Sequence, residues 1–246
     1  MRGLWQLAWN EFKIDLRDPM MVFWCIAYPA LWLVLMSKVI PGPIPGFNYT
    51  ILNNADLMFP ANVSLVILST SFIGAPLTLT NYRETGVLRR FRVTPVKTVT
   101  LALSFSITQF AFVMLGIGTL LIIGAIFGVQ IRGSLLLFTG VTVLGVITFL
   151  AIGSAIGSIA KSFRAANIII WTLFMPMMML SELFLPLAIL PDWLQPVAKA
   201  LPLTPINTML RDIVFAVSST DWWRLGIMAA WTAIACVVTV KFFRWE

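Results

Sequence analysis

The sequence of 246 residues has no histidine, only two cysteines and little charge: 17 Lys and Arg against 10 Asp and Glu, 11% of the chain. Without imidazole there is no Ser-His-Asp or Cys-His catalysis, no His-bearing zinc site and no imidazole proton relay. Cys25 and Cys236 both lie in apolar runs, which predicts buried, inert thiols rather than a disulfide framework or a metal site. A soluble domain carries about 25% charged residues, so the polar coat of a water-soluble globule is missing. Apolar residues take its place, at 59% of the chain and a mean hydropathy of +0.93. Several runs reach the roughly 20 residues that cross about 30 Å of hydrocarbon as helix. Six crossings would occupy about half the chain and leave too little for a separate catalytic domain.

The spacing predicts an all-α integral membrane fold, a single domain over 1–246. Residues 1–18 are unlike a cleavable signal and carry a stripe of Trp5, Trp9, Phe12 and Leu16 at helical spacing, flanked by Gln6, Asn10, Lys13 and Arg17. This reads as an amphipathic interfacial helix, either a plain anchor or a surface for a cytoplasmic partner, which ends where Asp18 and Pro19 turn the chain inward. Six spans follow: Met20 to Val39, Met58 to Thr80, Thr98 to Phe127, Ser134 to Ala160, Ala166 to Phe184, and Arg224 to Phe243. Between the first two, PGPIPG at Pro41 to Gly46 cannot continue a helix. The second span holds Asn62, Ser64, Ser69, Thr70, Ser71 and Thr78, which serve either helix packing or a polar translocation surface. Gly153 and Gly157 have the spacing of close helix approach, read here as packing within one bundle. Pro176 among Met175, Met177, Met178 and Met179 predicts a soft, kinked surface in the fifth span. Residues 185–223, with five prolines at 186, 191, 196, 202 and 205, are too broken to span and too apolar for a solvated loop. Helical pieces at Pro191 to Leu201 and Pro205 to Ala216 are expected to re-enter the outer leaflet under protein cover.

Charge sets the orientation. With both termini inside, Arg2, Lys13, Arg17, Arg83, Arg89, Arg90, Arg92, Lys97, Lys161, Arg164, Lys241 and Arg244 face the cytoplasm, and only Lys38, Arg132, Lys199, Arg211 and Arg224 lie outside. This positive-inside bias predicts a multi-pass protein of the cytoplasmic membrane and accounts for the net +7 without a nucleic-acid partner.

The densest cluster, NYRETGVLRRFRVTPVK over residues 81–97, is then a cytoplasmic loop. Val87, Leu88 and Phe91 fall within one helical turn, so the loop is either ordinary positive-inside decoration or a short helix whose apolar side enters a partner's groove. A polytopic bundle without a cofactor motif is a transporter by default. A proton-coupled carrier buries ionisable groups at mid-membrane, and here only Glu182, at the edge of the fifth span, is available. No GxxxxGK[ST] cradle is present, so the chain has no nucleotide site of its own.

The order Arg-Glu-x-Gly-x-x-x-Arg-x-x-x-x-Thr-Pro at Arg83 to Pro95 resembles the first cytoplasmic loop of type-2 ABC permeases, in particular the bacterial drug-export branch. The stretch MLSELFLPLAILPDWLQPVAKALPLTPINTMLR at Met179 to Arg211 is similar to that branch's link between the fifth and sixth spans. The resemblance implies a permease subunit that is not itself an enzyme. Two permease copies, or one copy with a related chain, would be bound by two ATPase subunits that hold ATP and Mg; no cofactor is expected in this chain. Arg83, Glu84, Gly86, Val87, Leu88, Arg89, Arg90 and Phe91 would correspond to the coupling helix, with the first helix alongside. The cargo would be a hydrophobic or amphipathic small molecule or a lipid, moved outward past Asn62, Ser69, Asn167, Thr172, Met175, Met178 and Glu182. Alternatives are a lipid-linked glycan exporter and a self-sufficient ion-coupled carrier. Where the branch usually has a small residue, often Gly, this chain has Glu182, which would bind a cationic drug, pair with Arg211 or face water.

Overall fold

Apolar side chains recur through nearly the whole chain with few charges to interrupt them, and in hydrocarbon only a helix satisfies its own backbone. The computed structural model describes residues 2–39, 54–87, 98–183, 187–217 and 221–242, and every regular element among them is helical. Helix α1 is Arg2–Arg17. α2 covers residues 19–39 and α3 residues 54–84, each interrupted by a π turn. α4 is Thr98–Ile126, α5 Leu135–Ile159 and α6 Phe163–Leu180. After a 3₁₀ turn at Leu187–Ile189 come the short α7, Gln195–Ala200, and α8, Leu203–Val214, and finally α9, Trp222–Phe242.

Among the described residues, five helices are long and apolar enough to cross a membrane: Met58–Glu84 of α3, Ser104–Ile126 of α4, and α5, α6 and α9. The described apolar stretch of α2, Phe23–Leu35, is shorter. α3 is the central helix, with 67% of its apolar window buried against neighbours, whereas α9 buries 11%. In lipid the apolar effect does not by itself hold helices together, so close packing and buried polar contacts must. Phe72 meets Phe149 edge to face and Phe59 stacks on Phe138, joining α3 to α5. The hydroxyls of Thr148 and Thr232 bond α5 to α9 at 2.9 Å, and Thr108 donates to the Ala8 carbonyl at 3.0 Å, bonding α4 to α1.

The π turns occupy Phe23–Ala27 and Leu68–Gly74, and each ends two residues before a proline, Pro29 or Pro76. A proline has no N–H to give and its ring crowds the carbonyl four residues back, a conflict that a wider turn relieves. Both turns press a carbonyl onto a glycine of a neighbouring helix. A methyl built on Gly116 would lie 2.7 Å from the Cys25 carbonyl oxygen, and one on Gly153 would lie 2.5 Å from that of Ser71. Gly157, one turn on, touches Leu79 and Pro76. The Gly153 and Gly157 pair therefore packs within the bundle, as expected from the sequence.

Three expectations change. Cys25 is buried, but Cys236 is exposed on α9, because α9 turns little of its surface inward. The stripe on α1 divides: Phe12 packs inward, edge to face with Phe112, while Trp5, Trp9 and Leu16 stay exposed. The face turned toward α4 carries Ala8, Glu11, Phe12 and Asp15, and its acids have polar partners on α3 and α4. α3 runs beyond Thr80 to Glu84, since no residue before Gly86, at φ +71°, breaks it. Leu88, Arg89, Arg90 and Phe91 lie outside the described residues, as does the PGPIPG turn.

Candidate functional site

The bundle has two polar ends. At the loop end, the last turn of α3 presents three successive side chains to three helices. The Tyr82 hydroxyl donates to Glu11 of α1. The Arg83 guanidinium donates to the carbonyls of Ala160, at 2.7 Å, and Gly157, at 3.2 Å, which are left open where α5 ends. The carboxylate of Glu84 accepts the Phe163 amide at 2.8 Å, where α6 begins. Ser162 caps the same helix by accepting the Ala165 amide. Each charge matches the partial charge it meets, a cation at a helix C-terminus and an anion at an N-terminus. Thr85 and Gly86 then close α3, their amides bonding to Asn81 and Arg83 carbonyls. Arg83 and Glu84 thus belong to the end of α3, with Val87 beyond the break.

Beneath α1, Gln109 of α4 reaches Asp15 at 3.4 Å. Burial, with Glu11 and Asp18 nearby, pushes the Asp15 carboxyl up to about 7. Burial also raises Glu11, against the lowering effect of the Tyr82 bond.

The far end is bound by acids and arginines. Glu182 sits at φ +57°, the left-handed conformation that favours glycine, just past the end of α6. Its carboxylate lies 2.6 Å from Arg211 of α8 and accepts the Leu187 amide at 3.1 Å. Asn207 of α8 donates to the carbonyls of Ser181 and Glu182 and accepts from Ser64 of α3. Arg224 of α9 pairs with Asp212 and Asp221, and Arg132 approaches Asp56 at 3.9 Å. The amides of Arg132 and Gly133 bond to carbonyls at the end of α8. Of the three roles open to Glu182 in the sequence, the structure holds pairing with Arg211.

The remaining pathway candidates lie in different settings. Asn62 and Ser69 are buried in the bundle, each bonded to a carbonyl of its own helix, and Asn62 borders a small cleft with Trp32, Ala61, Leu65 and Leu183. On α6, Thr172 and Met175 are exposed, and Asn167 and Met178 are half-buried. The sequence reading missed the Glu11 and Tyr82 bond and the reach of Arg83 and Glu84 to the α5–α6 turn. The spacing of Ala8, Glu11, Phe12 and Asp15 was the available signal for the first.

The profile of the ABC-2 type transporter family matches residues 2–215. The inner membrane transport permeases YhhJ of Escherichia coli (strain K12) and Shigella flexneri are each 25% identical over 197 residues, covering 77% of this chain and 53% of theirs. The chain therefore spans about half the length of those relatives. The daunorubicin resistance ABC transporter permease protein DrrB1 of Streptomyces coeruleorubidus is 21% identical over 252 residues, 98% of this chain and 84% of that one. With the profile match running from the first helix to the end of α8 across an all-helical bundle, this chain belongs to the ABC-2 type transporter family.

Proposed function

We propose that the protein is the membrane-spanning permease subunit of an ATP-driven exporter in the cell membrane, moved by a separate ATPase. The family match over residues 2–215 carries this reading. α2 serves as the sixth span and α1 lies in the interface. The loop end and both termini face the cytoplasm, and α7 and α8 re-enter from outside. At about 18 Å, α8 is too short to cross about 30 Å of hydrocarbon. Two ATPase subunits holding ATP and Mg bind a permease pair, made with a second copy or a related chain. Val87, Leu88, Arg89, Arg90 and Phe91 supply the docking surface.

Nucleotide shifts the bundle only if it favours one arrangement through that contact. Alternating access follows when ATP-bound partners draw the loops together and the spans rearrange above them. The exposed α6 face with Thr172 and Met175 lines the route between copies, and Asn62 and Ser69 join it when α3 loosens from its neighbours. The cargo is a hydrophobic or amphipathic small molecule or a lipid, a choice supported by the similarity to the daunorubicin resistance permease DrrB1. An ion-coupled carrier is the weaker reading, because the carboxylates Glu182 and Asp212 are engaged with arginines at the far end.

The test is replacement of Leu88 and Phe91 by aspartate. Insertion should be unchanged while the ATPase no longer co-purifies and efflux stops. Undiminished capture and efflux would overturn the assignment, as would ion-driven solute movement by the chain reconstituted alone.

A further inference from the structure

Tyr82, Arg83 and Glu84 are consecutive, and successive residues on a helix point about 100° apart. Each therefore reaches a different neighbour: Glu11 of α1, the last turn of α5, and the first turn of α6. α5 and α6 are joined only by residues 160–162. Arg83 holds the chain entering that turn and Glu84 holds the chain leaving it, so the turn cannot part from α3 without losing charge-assisted bonds on both sides. Gly157 brings α5 close against Leu79 and Pro76 of α3 one turn before it.

We propose that Tyr82, Arg83 and Glu84 form a clasp that carries displacement of the loop directly into α5 and α6. Arg83 and Glu84 then act on transport as positioning residues within their own chain, and the partner ATPase touches only residues beyond Gly86. The inference rests on the ATPase-driven reading above and assigns the part of the bundle that the drive reaches first. α4 follows the loop in sequence and its Phe105 packs against the Tyr82 ring, but the charged side chains at the loop's root bond to the α5–α6 turn. The helix with the exposed Thr172 and Met175 face is thereby among the first to move.

Spin labels at Thr85 and Lys161, both exposed, test this in the full-length protein with Cys236 changed to serine. It is reconstituted with whatever ATPase co-purifies from its own cells. The expected result is a narrow 85–161 distance distribution that stays the same without nucleotide and after MgATP-vanadate trapping. In Arg83→Gln the ATPase should still co-purify, but the narrow distribution should be lost and nucleotide should shift it. Glu84→Ala, at an exposed position that leaves the packing intact, should do the same to a smaller degree. Arg83→Lys should restore part of the wild-type behaviour. The clasp is overturned if the wild-type distance changes with nucleotide, if both variants behave as wild type, or if either variant loses the ATPase. Failure of any ATPase to bind the wild-type chain instead overturns the proposed function, while a normal complex with unaltered variants overturns the clasp alone.

Discussion

The two ends of the bundle are fastened by different chemistry. At the far end acids meet arginines side chain to side chain: Glu182 with Arg211, Asp212 and Asp221 with Arg224. At the loop end the charges meet helix termini, Arg83 on carbonyls and Glu84 on an amide. Breaking a buried ion pair by removing one partner costs about 3–5 kcal/mol. A charge at an exposed helix terminus stabilises by about 0.3–1 kcal/mol. The far end is thus the costlier to break, while the loop end depends on several weaker bonds that are made together.

Arg211→Ala should produce the largest effect, a loss of about 3–5 kcal/mol, because it strands the Glu182 carboxylate among buried groups. Unfolding in mixed micelles reads this directly, and a loss no larger than that of a loop-end variant would erase the contrast. Glu182→Gly is predicted to cost less, about 2 kcal/mol. The lost pair is partly offset by relief of about 1–2 kcal/mol of left-handed backbone strain. At the loop end, Arg83→Gln should lower stability by about 1 kcal/mol, since glutamine can still donate to one carbonyl. Thermal melting followed by size exclusion suffices to rank the three.

The effect of Asp15→Asn differs in kind, because it depends on pH. The Asp15 carboxyl titrates near 7 in the folded protein because of burial and its acidic neighbours, well above its unfolded range near 4. The folded state therefore binds the proton more tightly, and stability falls as pH rises from about 4 through about 7. An asparagine side chain at this position cannot ionise, so the variant should melt higher than wild type at pH 8 and about the same at pH 5. Equal shifts at both pH values would show that Asp15 is not desolvated beneath α1.

Five long spans and α1 were legible because apolar runs and helical periodicity are local properties. The extension of α3 to Glu84 was less so, since the charges of residues 81–84 read as a loop although the backbone meets no breaker before Gly86. The π turns were not read from the sequence, although each ends just before a proline, Pro29 or Pro76, and which carbonyl meets which glycine depends on how the helices cross. Arg83 and Glu84 were visible as an Arg-Glu pair with an outward role. That they grip the α5–α6 turn depends on contacts 74 to 79 residues away in the chain. Glu182 was visible as a departure from the glycine its similarity led one to expect, and only its φ of +57° shows what that departure costs.

The seat of α1 has a consequence for synthesis. Ala8 bonds to Thr108 and Phe12 packs on Phe112, a hundred residues downstream. While the ribosome is still making the intervening stretch, the first helix has no groove to occupy, and Glu11 and Asp15 remain hydrated at the bilayer surface. Its docking must wait until α4 has been inserted, so a nascent chain stopped before Thr98 should leave this helix open to protease, and one released after Ile126 should shield it.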